Sequence, residues 1–230
     1  MKKILLLLAI ITIFSCSSDS DSGSNKLVTK ITTTSPVNGF NEVYNFTYDT
    51  KNRVSNIIKT GDVTASYLFH YDKNGNADLV TVTDANGTND VVFTYDGKIL
   101  NSYKYQDTTT PVSYDNATKT YTIGTTNLML NQIGDLSIVN MLEIQYESGK
   151  KGAFRNERSN FQLVTVFIDG MFLFVGTNGV PKAIVATEDD SAVYSFDNAY
   201  DDADYVKSLA VAGIGDNTIN FSATFEYAQE

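Results

Sequence analysis

The chain is predicted to be all-β: an antiparallel meander of repeated β-hairpins, curled by its own twist into a half-barrel or incomplete barrel. Three features predict it. One phrase occurs three times, as Tyr44-Asn-Phe46-Thr-Tyr48-Asp49, Tyr67-Leu-Phe69-His-Tyr71-Asp72 and Val91-Val-Phe93-Thr-Tyr95-Asp96, with the Tyr-Asp pairs 23 and then 24 residues apart. Turn chemistry follows at a fixed offset, in Asp49-Thr-Lys-Asn52 and Asp72-Lys-Asn-Gly75. Apolar alternation then continues to the C-terminus, ending on Phe221-Ser-Ala-Thr-Phe225-Glu-Tyr227.

Each part of the phrase has a physical role. Side chains at i, i+2 and i+4 of a strand share one face, so Tyr44, Phe46 and Tyr48 lie together, as do Tyr67, Phe69 and Tyr71. Burying such a ring contributes roughly 1.5–3 kcal/mol, which turns the aromatic face inward and leaves Asn45, Thr47, Leu68 and His70 on the other face. The tyrosine hydroxyl needs a partner there. Aspartate opens a turn, and glycine or asparagine supplies the positive φ that closes it. Weaker copies follow at Leu130-Asn131-Gln-Ile-Gly134-Asp-Leu136 and Val175-Gly-Thr-Asn178-Gly179, and Tyr114-Asp115 is a degenerate further copy.

Two stretches read differently. Phe161 to Asp169 and Met171 to Val175 flank Asp169-Gly170, a dipeptide that predicts a tight hairpin. From Asp201 to Ala212, Tyr205 and Leu209 stand four apart, as do Val206 and Ala210; aspartates crowd the start and Gly213 follows the end. That pattern predicts one short helix near 201–212, able to plug an open end of the curled sheet.

The N-terminus is an address. Lys2 and Lys3 precede an apolar run from Ile4 to Phe14, too short to span a membrane and of the length of a secretory signal. It ends Ile13-Phe14-Ser15-Cys16, which resembles the lipobox of bacterial lipoproteins, where cleavage precedes the cysteine and its sulfur receives a lipid. Cys16 is the only cysteine, so no disulfide forms within the chain. Residues 1–15 are thus expected to be a signal peptide. Residues 16–26 follow as lipidated cysteine and Ser/Asp-rich tether, reaching about 17 Å by random-coil statistics. Residues 27–230 form a single β domain, with repeats clearest over 42–136. The Ser-Asp-Ser-Asp run of the tether looks like the export signal of Bacteroidetes-type surface lipoproteins. The Tyr-Asp-x-x-[Gly/Asn]-x-[Val/Leu] phrase resembles the tyrosine-aspartate (YD) repeats of RHS-like surface proteins. Asn52 stands in for the turn glycine, and Ala77 follows Asn76 in place of Arg-Val/Leu. This likeness implies a β-sheet scaffold at the cell surface and no catalytic residue.

Chemistry is sparse. His70 is the only histidine; it points away from Phe69, and no Gly-x-Ser-x-Gly elbow accompanies it. With one histidine and one acylated cysteine, zinc and redox metals lack ligands. Calcium needs only oxygens, and Asp197, Asp201, Asp202 and Asp204 are its weak candidates, though they lack EF-hand spacing and also suit a helix N-terminus. Phosphate-binding glycine loops are absent, and no cofactor is expected. Lys150, Lys151, Arg155 and Arg158 make a small basic cluster on a chain of formal charge −10, which lacks the footprint of a nucleic-acid binder. The expected function is non-enzymatic: an outer-membrane lipoprotein, held by lipid at Cys16 on the periplasmic or surface side, binding a surface protein or glycan or serving as a structural component. The alternatives are a carrier of lipid or other apolar cargo in the concave face, marked by an apolar cavity of several hundred Å³, and a carboxylate-based glycosidase, marked by two paired acids in a cleft.

Overall fold

A computed structural model describes residues 25–214 and 219–228. Seventeen strands and two short helices follow one another: β1 (Val28–Ser35), β2 (Phe40–Tyr48), β3 (Val54–Gly61), β4 (Ala65–Tyr71), β5 (Ala77–Asp84), β6 (Gly87–Asp96), β7 (Ile99–Tyr105), β8 (Thr108–Pro111), β9 (Ser113–Asp115), β10 (Thr120–Ile123), β11 (Thr126–Leu130), β12 (Leu136–Val139), β13 (Leu142–Tyr146), α1 (Phe161–Thr165), α2 (Phe172–Val175), β14 (Pro181–Ala186), β15 (Ala192–Tyr200), β16 (Val206–Gly213) and β17 (Ile219–Tyr227). The strands pair antiparallel in chain order, and β1 pairs with both β2 and β17, so the two ends of the meander meet. The one interruption is at Val112. There β8 pairs with β7 and β9 pairs with β10, as the two halves of a single stave, and the Val112 N–H donates to Asn101 O at 2.7 Å. The result is a nearly closed up-and-down barrel.

The barrel has two unlike ends. The Tyr-Asp turns gather at one, together with the first and last described residues, where the Ala228 N–H donates to Leu27 O at 2.8 Å. We call this the turn end. The opposite end, the mouth, carries the remaining hairpin loops.

Each Tyr-Asp turn is built alike. Asp49 Oδ1 accepts the N–H groups of Lys51 and Arg53, and Asp72 Oδ1 accepts those of Asn74 and Asn76. Asn52 (φ 61) and Gly75 (φ 82) supply the left-handed residue. Tyrosine then ties one repeat to the one before it: Tyr48 donates to Val28 O, Tyr71 to Val54 O, Tyr95 to Ala77 O, Tyr146 to Leu136 O and Tyr227 to Val206 O, all at 2.7–2.9 Å. Each acceptor is at the start of a strand leaving the turn end.

The helix expected near 201–212 is not formed; 206–213 is strand β16, between β15 and β17. Tyr200-Asp201 is a further Tyr-Asp turn. Asp201 Oδ1 accepts the N–H groups of Ala203 and Tyr205, with Asp204 (φ 64) in the place of Gly75. Intrinsic helix propensity in Leu209-Ala-Val-Ala is overridden by two flanking strands that offer a ladder.

A plug does exist, made by the other misread stretch. Residues 147–180, between β13 and β14, run into the lumen and back, and Asp169-Gly170 turns between α1 and α2 where a β-hairpin was expected. Lys151 forms one bridge to the start of β16 at the entry, but no described strand pairs with residues 160–176, and their backbone groups satisfy one another locally, as in Phe172 N–H to Asp169 O at 3.1 Å and Val164 N–H to Asn160 O at 3.3 Å. Short unbroken apolar runs do not distinguish helix from strand by periodicity alone. The legs of the plug cross at Gly152, where a Cβ would lie 2.3 Å from both Thr177 O and Gly179 O.

The plug meets the repeats ring to ring. Phe46 packs edge-on to Phe154 and Phe172, Phe69 against Phe161, and Phe93 against Phe167, with centroids 5.3–6.2 Å apart. Its polar side chains cap the strand starts. Glu157 accepts the Val54 N–H, Asn160 the Ala77 N–H and Gln162 the Leu136 N–H. Buried Asp135 accepts the N–H groups of Asn178 and Gly179 at 2.7 Å each, fixing the outgoing leg. Burial pushes its carboxyl up to about 6 against the pull of those donors.

The outer wall is mostly polar, with Ile58, Leu68 and Val92 as exposed apolar exceptions on β3, β4 and β6. Outward positions include Thr32 and Thr34 on β1, Asn45 and Thr47 on β2, Ser66 and His70 on β4, and Ser222, Thr224 and Glu226 on β17. Membrane-spanning barrels carry the opposite arrangement, an apolar band outside and a polar lumen.

Two outcomes are expected. Phe69→Ala should lower stability by roughly 3–5 kcal/mol, whereas His70→Ala, on the outer face and paired only with Asp78, should lie within about 1 kcal/mol. Equal urea midpoints for the two would reverse the facing. Second, an acid held above its unfolded value of 3.8 favours folding while protonated, and that contribution fades as pH rises through about 6. The stability of wild type relative to Asp135→Asn should therefore fall between about pH 4 and 6.5 and level off above; a difference that stays flat across this range would contradict it.

Candidate functional site

The mouth is the candidate site. On the β2–β4 side the tip of the plug is held by charge. Lys59 Nζ lies 2.9 Å from Glu42 Oε1 and 3.1 Å from Asp169 Oδ2. Tyr44 donates to Glu42 at 2.8 Å with Asp169 Oδ2 3.2 Å away, and Tyr67 reaches the same oxygen at 3.3 Å. Burial, then the neighbouring carboxylates, push both phenols far above the ordinary range, so they remain donors. With these groups turned on one another, the cluster anchors the Asp169-Gly170 tip to three strands.

On the other side the lumen is not filled. The staves β10, β11 and β12 have 4, 5 and 4 residues against 9 in β2 and 10 in β6. Beside this low wall an apolar crevice of about 330 Å³ opens, lined by Tyr103, Ile123, Leu128, Val139, Phe167 and Leu173, with Thr126 and Gly170 at its edge. A larger groove of about 690 Å³ lies open between the β3–β4 and β5–β6 loops, near Val63 and Asp84. A third space of about 270 Å³ lies at the turn end, between Glu157, Asn160 and Gln162 of the plug and the turns. Burial raises the Glu157 carboxyl, but Val54 N–H and both Ser159 donors occupy it.

The rim of the mouth differs from the turn end in composition. Val37, Val63, Tyr105, Met141 and Ile214 are 43–70% exposed there. Its loops and adjoining strand ends carry Asp62, Asp84, Asp107, Glu188, Asp189 and Asp190, and no described loop residue is Lys or Arg. Most basic side chains lie at the turn end, among them Lys51, Lys73, Lys98, Lys119 and the 150–158 cluster, while Lys59 and Lys104 stand near the mouth.

Of the residues singled out from sequence, Cys16 lies outside the described residues. His70 is exposed on the outer wall, 2.6 Å from Asp78. Of the calcium candidates, Asp201, Asp202 and Asp204 share one turn with their side chains engaged apart or exposed, and Asp197 lies on the wall. Asp197 faces outward on β15, and Asp202 is exposed. Asp201 Oδ2 takes Lys26 at 2.7 Å, and Asp204 takes Lys150 at 2.6 Å. Burial pushes the Asp201 carboxyl up, but Lys26 and the N–H groups of Tyr205 and Ala203 outweigh it and hold it below the ordinary range. Among the described residues no group of three His, Cys, Asp or Glu side chains is placed to hold a metal ion. Sequence reasoning missed the mouth because its crevice is made by strand length and by the path of the plug. The short, Gly-punctuated segments around Gly124 and Gly134 were the available signal.

Fold and site define a class: a plugged up-and-down β-barrel with a polar outer wall. No protein-family model and no curated protein matches the chain. It is similar in fold to the crystal structure of a porin-like protein from Bacteroides uniformis ATCC 8492, at 12% identity over 87% of this chain and 98% of that one, with a TM-score of 0.49. It is also similar to that of a porin-like protein from Bacteroides vulgatus ATCC 8482, at 13% identity over 90% and 100%, with a TM-score of 0.46.

Because Asn131 fills the aspartate position in another turn, accepting the Ile133 and Asp135 N–H groups, Asp201→Asn should be tolerated within about 1 kcal/mol. Asp201→Ala should be worse, losing about 0.5–2 kcal/mol as cap removal does. Melting temperature should be the same in chelator and in about 2 mM calcium, a level that fills extracellular sites. A calcium-specific rise abolished by Asp201→Asn would instead make this turn a metal site.

Proposed function

We propose that the protein is a lipid-anchored, non-enzymatic binding protein of the bacterial outer membrane, tethered through Cys16 and engaging a surface protein or glycan. The observation that carries this reading is the plugged lumen inside a mostly polar wall. A barrel whose interior is occupied by its own chain is obstructed to solute, and a wall carrying mostly Thr, Ser, Asn and charged side chains is not suited to lipid contact. What the molecule offers outward is its rim. The tether reaches the fold at the turn end, where Asn156 holds Lys26 O at 2.9 Å, so an anchored barrel directs its mouth away from the bilayer. The acids of the lumen support the non-enzymatic reading, since Glu42, Asp169, Asp135 and Glu157 all hold the plug in place.

The test is Cys16→Ser. Wild-type protein should sediment with membranes and need detergent for release; the variant should accumulate as unprocessed precursor or appear in the soluble fraction. A variant that is cleaved yet stays membrane-bound in high salt would overturn the anchor. Channel activity of the purified protein in planar bilayers would overturn the plugged-barrel reading.

A further inference from the structure

We infer that the crevice between the plug and the short staves is a binding site for a compact apolar group, aliphatic or aromatic, carried on a neutral or cationic molecule. This deepens the binding reading above by assigning it a pocket and a ligand chemistry.

Three observations carry it. The aromatic face of the repeats is closed by the plug, so apolar cargo finds no room there. The crevice is the part of the lumen that the plug leaves open; Leu128 is buried at its floor, whereas Tyr103, Ile123, Val139, Phe167 and Leu173 line it half-buried. Apolar side chains turned toward the lumen without a covering partner are what an apolar ligand would desolvate. At about 330 Å³ the space stands at the small end of ligand pockets, enough for a short chain or a ring and too small for a diacyl lipid.

The walls also limit the ligand's polar end. Among the described residues no ionisable side chain lines the crevice apart from the Tyr103 phenol, whose ring packs on Phe167 with centroids 4.8 Å apart. A charge buried in it would lack a partner. At the opening, the surrounding loops are acidic with Asp107 and Glu188 to Asp190. A carboxylate or phosphate head would therefore meet like charge, whereas an alcohol or ammonium would not.

The chain has no tryptophan, which makes a single introduced one a clean reporter. Phe167→Trp places it in the crevice, Leu173→Trp repeats the measurement from the other wall should the first variant fail to melt cooperatively, and Leu68→Trp places it on the outer wall. Tryptophan emission would be recorded on the detergent-solubilised full chain against hexan-1-ol, hexylamine and hexanoate at pH 7.5. The expected result is a saturable shift with the alcohol and the amine from either crevice reporter. Hexanoate should bind at least about tenfold more weakly, with the gap narrowing in 1 M salt. The shift should be lost when Val139→Phe is added to fill the space. No saturable shift from a folded crevice reporter would overturn the site, as would a shift that survives Val139→Phe or is equally large for Leu68→Trp. Equal binding of hexanoate would overturn the charge selectivity. Membrane fractionation of Cys16→Ser is independent of these readings, so loss of the crevice site and loss of the anchor can be told apart.

Discussion

Much of this barrel depends on one doubly bonded backbone position. Val54, Ala77 and Leu136 each begin a strand at the turn end. In each the carbonyl receives a tyrosine hydroxyl from a later repeat, and the N–H is received by a side chain of the plug. A strand start inside a barrel is where ladder bonding runs out, and a buried unpaired amide there would cost about 1–3 kcal/mol. The tyrosine solves half of that problem within the repeat. The plug solves the other half from outside it, and so the repeats fix the position of residues 156–162 as firmly as those residues fix the repeats.

This division explains why the polarity of the barrel is inverted relative to one that lies in lipid. The aromatic phrase was placed to face a core, and the core is supplied by the chain itself: Phe154, Phe161, Phe167 and Phe172 are the counterparts of Phe46, Phe69 and Phe93. Where the repeat phrase weakens, from β8 to β13, the staves shorten and the counterpart rings thin out, and they resume on the last staves where Phe174 packs against Phe196 and Phe221. The opening at the mouth is thus a direct product of the decay of the repeat, and it leaves Phe167 and Leu173 with one side against protein and one against solvent.

The wall was largely legible from residue order because a two-residue period and a fixed turn are local signals. Phe46, Phe69 and Phe93 fell on one face, at 5%, 7% and 2% exposure, for the reason their spacing implies. The plug was not legible. Its helices are five and four residues long, too short to show a 3.6-residue period, and their conformation follows from being enclosed without a strand neighbour, a fact of tertiary structure. Asp201 is a different kind of miss. Its turn has the same chemistry as those at Asp49 and Asp72, but with aspartate at the left-handed position and helix-favouring residues after it. Reading Tyr200-Asp201 by its bonding pattern, rather than Asp201 to Ala212 by propensity, would have recovered strand β16.

The seam between β1 and β17 joins residues almost two hundred positions apart, Val28 facing Tyr227 and Ile31 facing Phe225. Contacts of such separation form slowly, because most of the intervening chain must be ordered first. In a chain threaded across a membrane from its N-terminus, β1 emerges first and waits with an open edge while every other stave is delivered. The plug arrives with the last four staves still to come, so they are added onto a lumen that already contains its filling. Until the final strand is laid down, the assembly is an unsealed sheet with two bare edges, and its survival rests on the speed of chain delivery and on whatever shields those edges in the interval.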